Sequence, residues 1–266
     1  MVITDRLLRG IVWFGLGIAC VPSLCAAPTV NPKYAGAWIE NQSKRQIGSP
    51  APLRFRETNG QLEELRGPVE KPLVQAVKFG TPAYAIDGSK NTIEWKKKDE
   101  THFERRIYQS GKLLATRHIE ISADGKTMTE VTERSPADID TLTLKRTSGT
   151  KGLAGTWSAT SFKNNSPARL TIEVSAAGLK TTDDRGVVQT LNFDGKPTEV
   201  RGPAVISGTM VAASLKDANT IEVSQSREGV ATGAGSLALS ADGKMLTATT
   251  KANAADKPSV IVYDRK

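Results

Sequence analysis

The residues of this chain that could carry chemistry lie mostly in one predicted β-hairpin. It contains both histidines of the sequence, His102 and His118, each followed two positions later by a glutamate, Glu104 or Glu120. Side chains at positions i and i+2 of a strand share a face, and a three-residue loop at Gln109-Ser110-Gly111 would set His102 opposite His118. Two imidazoles and two carboxylates on one face could bind a divalent metal ion. The alternative is a pair of surface histidines, because a structural metal site needs a closed set of ligands.

The same alternation turns two arginines, Arg105 and Arg117, toward the interior of the sheet. A charge that faces a protein interior is costly unless it is paired. One interpretation is a pocket in which both guanidinium groups bind the carboxylate of a small acidic amphiphile, with Trp95 in its wall. The alternative is that the arginines reach the rim or pair with a local glutamate, and that Trp95 is a core residue. Val223 and Gly235 stand at the equivalent positions of the second half.

Elsewhere the chain has few residues of the types that act in catalysis. Its two cysteines, Cys20 and Cys25, both lie near the N-terminus, and no Gly-x-Ser-x-Gly or His-Glu-x-x-His motif occurs. The Asp-Gly-Lys segments lack the spaced acidic residues of a calcium-binding loop. We therefore expect a non-enzymatic protein without a cofactor.

Residues 1–26 have the order of a secretory signal peptide. Arg6 and Arg9 precede an apolar run at 10–21, and small residues follow it. The run is shorter than the roughly 20 residues of a transmembrane helix, and no later segment is comparably apolar. We expect an exported, periplasmic or extracellular protein without a transmembrane segment in the mature chain. Lipid attachment at Cys20 is the alternative.

The net charge limits the classes of partner. The full sequence carries +8, and removal of a leader with two arginines and one aspartate lowers this to +7. A positive surface attracts anionic lipids or polysaccharides of the cell envelope. Nucleic acid is not an expected partner, because the charges are scattered and stacking aromatic residues are sparse.

An internal repeat divides the rest of the chain into two similar halves. Gly36-Ala37-Trp38 recurs as Gly155-Thr156-Trp157, and the hairpin segment 122–129 recurs as 240–247. Each half closes on an alternating segment with a basic end, Arg146 in the first half and Arg265 in the second. The repeat predicts two domains, 34–147 and 152–266, joined by a short polar linker.

Within each half, apolar residues recur at every second position. Segment 168–175 puts apolar side chains on one face and polar side chains on the other, as expected for a half-buried strand. Asp124-Gly125 and Asp242-Gly243 lie between such runs and predict tight hairpin turns. Only residues 60–66 suggest a turn of helix. The pattern predicts an all-β protein of two antiparallel β-barrels with about eight strands each, or alternatively two β-sandwiches.

Taken together, these motifs resemble the lipocalin-like barrels of uncharacterised secreted bacterial proteins. In that family a tryptophan on the first strand packs beneath an arginine near the last. The resemblance implies the pairs Trp38 with Arg146 and Trp157 with Arg265, and a small-molecule binding role. The chain departs from true lipocalins because neither half has room for the helix that follows the barrel, and disulfides are absent. We therefore expect a binding protein of the envelope, with a structural protein whose solid barrels contact anionic polymers as the alternative.

Overall fold

The structure is a computed structural model. It describes residues 29–49, 52–66, 69, 72–86, 91–149, 151–203, 205, 207–251 and 256–266. The predicted signal peptide, including Cys20, lies outside the described residues. None of the described helices is long and apolar enough to span a membrane.

The regular secondary structure of the described residues is almost entirely β and forms two antiparallel sheets of ten strands each. The first sheet contains β2 (Leu53–Thr58), β3 (Gln61–Arg66), β4 (Leu73–Ala76), β5 (Tyr84–Ala85), β6 (Asn91–Lys97), β7 (His102–Gln109), β8 (Lys112–Ile121), β9 (Thr127–Ser135), β10 (Asp138–Ser148) and β11 (Gly155–Asn164). The second sheet contains β1 (Gly36–Glu40), β12 (Arg169–Ser175), β13 (Gly178–Asp183), β14 (Val188–Asn192), β15 (Thr198–Glu199), β16 (Thr209–Asp217), β17 (Thr220–Arg227), β18 (Val230–Leu239), β19 (Met245–Lys251) and β20 (Ser259–Arg265). Two 3-10 helices, Pro32–Tyr34 and Gln42–Lys44, flank β1.

Each sheet curls around a hydrophobic core of its own, which confirms the all-β prediction. We call the two units the first barrel (β2–β11) and the second barrel (β1 with β12–β20). In the second barrel the sheet nearly closes, because Val188 and Arg201 exchange backbone hydrogen bonds of 2.7 and 3.0 Å. In the first barrel the segment after β4 reaches the opposite side, where Phe79 pairs with Trp95. The predicted helical turn at 60–66 is instead strand β3, whose Glu64 is buried.

The first strand of each sequence half lies in the barrel of the other half. β1 pairs with β12 and β20, and β11 pairs with β10 and β2. The first barrel is therefore one continuous segment, 53–164, inserted between two neighbouring strands of the second barrel. The two sheets do not follow the predicted division into 34–147 and 152–266, because β1 lies in the second barrel and β11 lies in the first.

This exchange reverses the tryptophan–arginine pairs that the resemblance implied. The guanidinium of Arg265 lies 4.3 Å from the ring centroid of Trp38, and that of Arg146 lies 3.9 Å from Trp157. Each tryptophan is buried, with its indole N–H bonded to the backbone carbonyl four residues earlier, Tyr34 or Leu153. The pairing of Trp38 with Arg146 and of Trp157 with Arg265 is wrong, because the strand next to Arg146 is β11 and the strand next to Arg265 is β1.

Each arginine also closes one end of its barrel through the backbone. Arg146 donates to the carbonyl oxygens of Gly125, Gly152 and Ala154 at 2.5–2.7 Å.

The glycine of the Gly-x-Trp motif is required by the close packing at this end of the barrel. Gly155 has a φ of +132°, and a Cβ there would lie 2.1 Å from the carbonyl oxygen of Ser148. Only glycine accepts both the left-handed backbone and the close approach.

Candidate functional site

The two histidines are not opposite each other. Strands β7 and β8 are joined by a two-residue turn, Ser110-Gly111, with φ values of +50° and +77°. Positive φ at both positions is typical of a type I′ hairpin turn. A bulge beside Ile107 shifts the register further, so His102 faces Glu120 and His118 faces Glu104. The predicted His102–His118 pair is therefore wrong, because the loop is two residues long rather than three.

The histidines instead belong to two separate groups of charged side chains. The Nδ1 atom of His102 lies 2.9 Å from the carboxylate of Asp99. The ring nitrogens of His118 lie 3.8 Å from carboxylate oxygens of Glu104 and Glu133. Among the described residues, no group of three or more histidine, cysteine or acidic side chains could hold a metal ion. This geometry favours the surface-histidine interpretation.

Arg105 and Arg117 do face the interior of the first barrel, where each meets a carboxylate. Both carboxylate oxygens of Glu64 accept hydrogen bonds from Nη1 of Arg105, at 2.9 and 3.0 Å. Nη1 of Arg117 donates to Glu130 at 2.9 Å. We call these four side chains the charged cluster. Glu64, Arg105 and Glu130 are all buried, so the cluster is part of the barrel core.

Mutual pairing keeps the charged cluster ionised. Burial alone would raise the pKa of Glu64, but Arg105 and Arg66 lower it by more, so the pKa lies below its usual value of 4.5. Burial likewise opposes the charge of Arg105, and the carboxylates of Glu64 and Glu130 outweigh it and raise its pKa. For Arg117, burial and the neighbouring Arg105 prevail over Glu130, and the net pKa is lowered.

The carboxylates that the arginines bind are thus supplied by the protein itself. This geometry corresponds to the alternative of pairing with a local glutamate, not to a carboxylate-binding pocket. Trp95 is fully buried beside the cluster, with its ring edge-on to Phe55 and Phe79 at centroid distances of 6.3 and 6.2 Å. The structure therefore places Trp95 in the core of the first barrel and not in the wall of an open pocket.

The second barrel lacks every member of the charged cluster. Matching the strands through their registers makes Thr181 equivalent to Glu64, because Phe55 faces Glu64 as Ile172 faces Thr181. The same comparison replaces the remaining three charged residues by small or apolar ones: Arg105 by Val223, Arg117 by Gly235 and Glu130 by Ala248. Trp95 is replaced by Ala213.

The volume lost through these replacements coincides with a cavity of about 420 Å³ inside the second barrel. Thr181, Val223, Gly235 and Ala248 all line it. Its wall is completed mainly by the apolar side chains Leu170, Val187, Leu191 and Leu237 and by Tyr263. Burial raises the pKa of Tyr263 to about 12, so its hydroxyl group is neutral at physiological pH.

Polar side chains of the cavity lie at one end of the barrel. Asp183 ends β13, Gln189 lies near the start of β14 and Gln225 lies near the end of β17. These strand ends border the turns on the side away from the Trp38–Arg265 pair. The cavity therefore has an apolar interior and hydrogen-bonding groups toward its polar end.

Sequence reasoning placed the candidate ligand-binding residues Arg105 and Arg117 in the first barrel, whereas the described cavity lies in the second. Arg105 and Arg117 attract attention because charged residues are conspicuous, whereas Val223 and Gly235 are unremarkable strand residues. The cavity could have been inferred by comparing the inward-facing residues of the two halves. Two inward arginines aligned with a valine and a glycine, so one interior had to contain much less side-chain volume than the other.

We compared the chain with protein-family models, with curated proteins and with solved structures, and no match was found in any of the three. The resemblance to lipocalin-like barrels accordingly stays a prediction that rests on the motifs alone.

Proposed function

We propose that this chain is an exported, non-enzymatic binding protein whose second barrel takes up a small, largely apolar molecule. One observation carries the proposal: positions that hold two ion pairs in the first barrel hold Thr181, Val223, Gly235 and Ala248 in the second, around a cavity of about 420 Å³. Protein interiors are normally close-packed. A cavity of this size within an otherwise regular barrel therefore favours occupation by a ligand.

The lining indicates the chemistry of that ligand. The cavity volume lies within the range of about 300–1,000 Å³ that is usual for small-molecule sites, which combine an apolar wall with a few polar groups. Leucine and valine side chains would contact an apolar body. At the polar end, Gln189 and Gln225 offer hydrogen bonds, and Asp183 supplies a carboxylate. This set suits a neutral polar head group better than the acidic one expected from the sequence.

The proposal also assigns different roles to the two barrels. The interior of the first barrel is occupied by the charged cluster and Trp95. We propose that the first barrel supports the second and that its positive surface contacts anionic envelope lipids or polysaccharides. The proposal that the chain is exported is based on residues 1–26, which have the order of a signal peptide.

The binding proposal can be tested by filling the cavity with the first barrel's own residues. In a Thr181→Glu/Val223→Arg double variant, the new side chains reproduce the Glu64–Arg105 pair inside the second barrel. We expect affinity for an apolar fluorescent probe, measured by titration, to fall about tenfold or more, because the probe must displace packed side chains. Ala248→Leu should weaken binding similarly without adding a charge.

Ser224→Arg is the matched control, because Ser224 is exposed on the outer face of β17 beside Val223. It should leave the affinity for the probe unchanged. Native mass spectrometry of the gently purified wild type should also detect a co-purified small molecule. The proposal is wrong if the wild type binds no apolar probe, or if folded double and Ala248→Leu variants bind as tightly as the wild type. A structural envelope protein would then be the better interpretation.

A further inference from the structure

Three buried N–H groups in the first barrel have no hydrogen-bond partner within the described part of the chain. They are Nε1 of Trp95 and the Nε atoms of Arg105 and Arg117. The other described tryptophans behave differently, since the indoles of Trp38 and Trp157 both donate to backbone carbonyls. A buried donor without an acceptor costs about 1–3 kcal/mol. Such groups in native proteins normally bind a partner.

The three donors belong to one row of side chains on neighbouring strands. Trp95 of β6 is directly opposite Arg105 of β7, and Arg105 is directly opposite Arg117 of β8. Directly opposite residues have Cβ atoms about 4.5–5.5 Å apart, so the row is compact. The guanidinium of Arg105 lies 5.4 Å from the centroid of the Trp95 ring. A single small species between these side chains could contact all three.

The chemistry of the row favours an anion over a water molecule. Each of the three unpartnered groups donates, and the carboxylates of Glu64 and Glu130 are paired with the Nη1 atoms of the arginines. A bound water must donate as well as accept, whereas a halide ion only accepts. Two guanidinium groups also face each other here, and this proximity together with burial lowers the pKa of Arg117. An anion would offset that repulsion.

We propose that the first barrel binds one small monovalent inorganic anion, of the size of chloride, between Trp95, Arg105 and Arg117. The donors supply hydrogen bonds, and the two guanidinium groups supply positive charge. The site is independent of the second-barrel cavity and of any ligand there. It would act as a structural anion site that completes the interior of the first barrel.

A melting experiment on the full chain tests this proposal. At constant ionic strength, replacing sodium gluconate by sodium chloride should raise the melting temperature by about 3 °C if chloride is well above its Kd. Trp95→Phe keeps an aromatic ring but removes the indole donor, and it should lose most of this increment. Arg117→Gln provides a second variant. Arg106→Gln is the control, because Arg106 lies on the outer face of β7, and it should retain the full increment.

A crystal soaked in sodium bromide gives a second measurement. We expect an anomalous difference peak within hydrogen-bond distance of Trp95 Nε1 and of an arginine Nε. The proposal is overturned if the site shows only water density without an anomalous signal. It is equally overturned if chloride gives no increment over gluconate, or if Trp95→Phe, Arg117→Gln and Arg106→Gln all respond alike.

Discussion

Replacing Trp38 by alanine is expected to destabilise the second barrel by about 3–5 kcal/mol, as for other large buried aromatic residues. Trp38 is 1% exposed and stacks against Arg265 of β20, although it precedes every strand of the first barrel in sequence. Hydrogen exchange resolved by mass spectrometry can locate the effect. We expect faster exchange in β16–β18 and unchanged exchange in β6–β8.

Trp157→Ala is the reciprocal control and should have the opposite pattern. Trp157 is fully buried against Arg146 in the first barrel, so β6–β8 should exchange faster while β16–β18 stay protected. The two variants together test the strand exchange rather than the importance of a tryptophan. If Trp38→Ala instead exposes β6–β8, each half keeps its own first strand and the described topology is wrong.

The second large effect concerns the charged cluster. Glu64→Ala should cost about 3–5 kcal/mol of first-barrel stability, because it leaves the guanidinium of Arg105 buried without its carboxylate partner. A Glu64→Leu/Arg105→Met double variant should recover most of this loss, because it removes both charges and retains apolar volume. Urea unfolding followed by the fluorescence of the buried tryptophans would measure both free energies. A single variant as stable as the double variant would contradict the prediction.

The lowered pKa of Glu64 also predicts how the stability of the protein depends on pH. Its pKa in the folded protein is below the usual 4.5, so the unfolded chain binds a proton more readily than the folded chain. The stabilising contribution is complete above pH 4.5 and is lost as the pH falls through the lower folded-state pKa. Stability of the wild type should therefore decline in acid more steeply than that of the Glu64→Leu/Arg105→Met variant.

The sequence predicted the parts of the fold that depend on local chemistry. Alternating apolar residues identified strands such as β12, and Asp124-Gly125 lies in the tight turn between β8 and β9, where Gly125 has a φ of +69°. The segment 60–66 misled because Leu62 and Leu65 are three residues apart, which fits a helical turn. In β3, Leu62 is half-buried and Glu64 is buried, because Glu64 has a buried partner to bind.

The exchange of first strands could not be predicted in the same way. β1 and β11 carry the same Gly-x-Trp motif, and their tryptophans make equivalent contacts with Arg265 and Arg146. Either strand therefore fits either position as far as local sequence can tell. The choice depends on the whole set of pairings, which is a non-local property. The cavity was missed for a related reason, because it arises from small side chains on four separate strands.

The insertion of the first barrel has a consequence for the order in which the strands can pair during synthesis. Among the described strands β1 is made first, yet its neighbours β12 and β20 come more than a hundred residues later, and β20 is made last. The continuous segment 53–164 can fold as soon as it emerges, whereas the second barrel must wait for strand β20. Such long-range closure is slow and leaves a sheet edge open in the meantime. The nascent chain therefore carries an incomplete second barrel until β20 has been made.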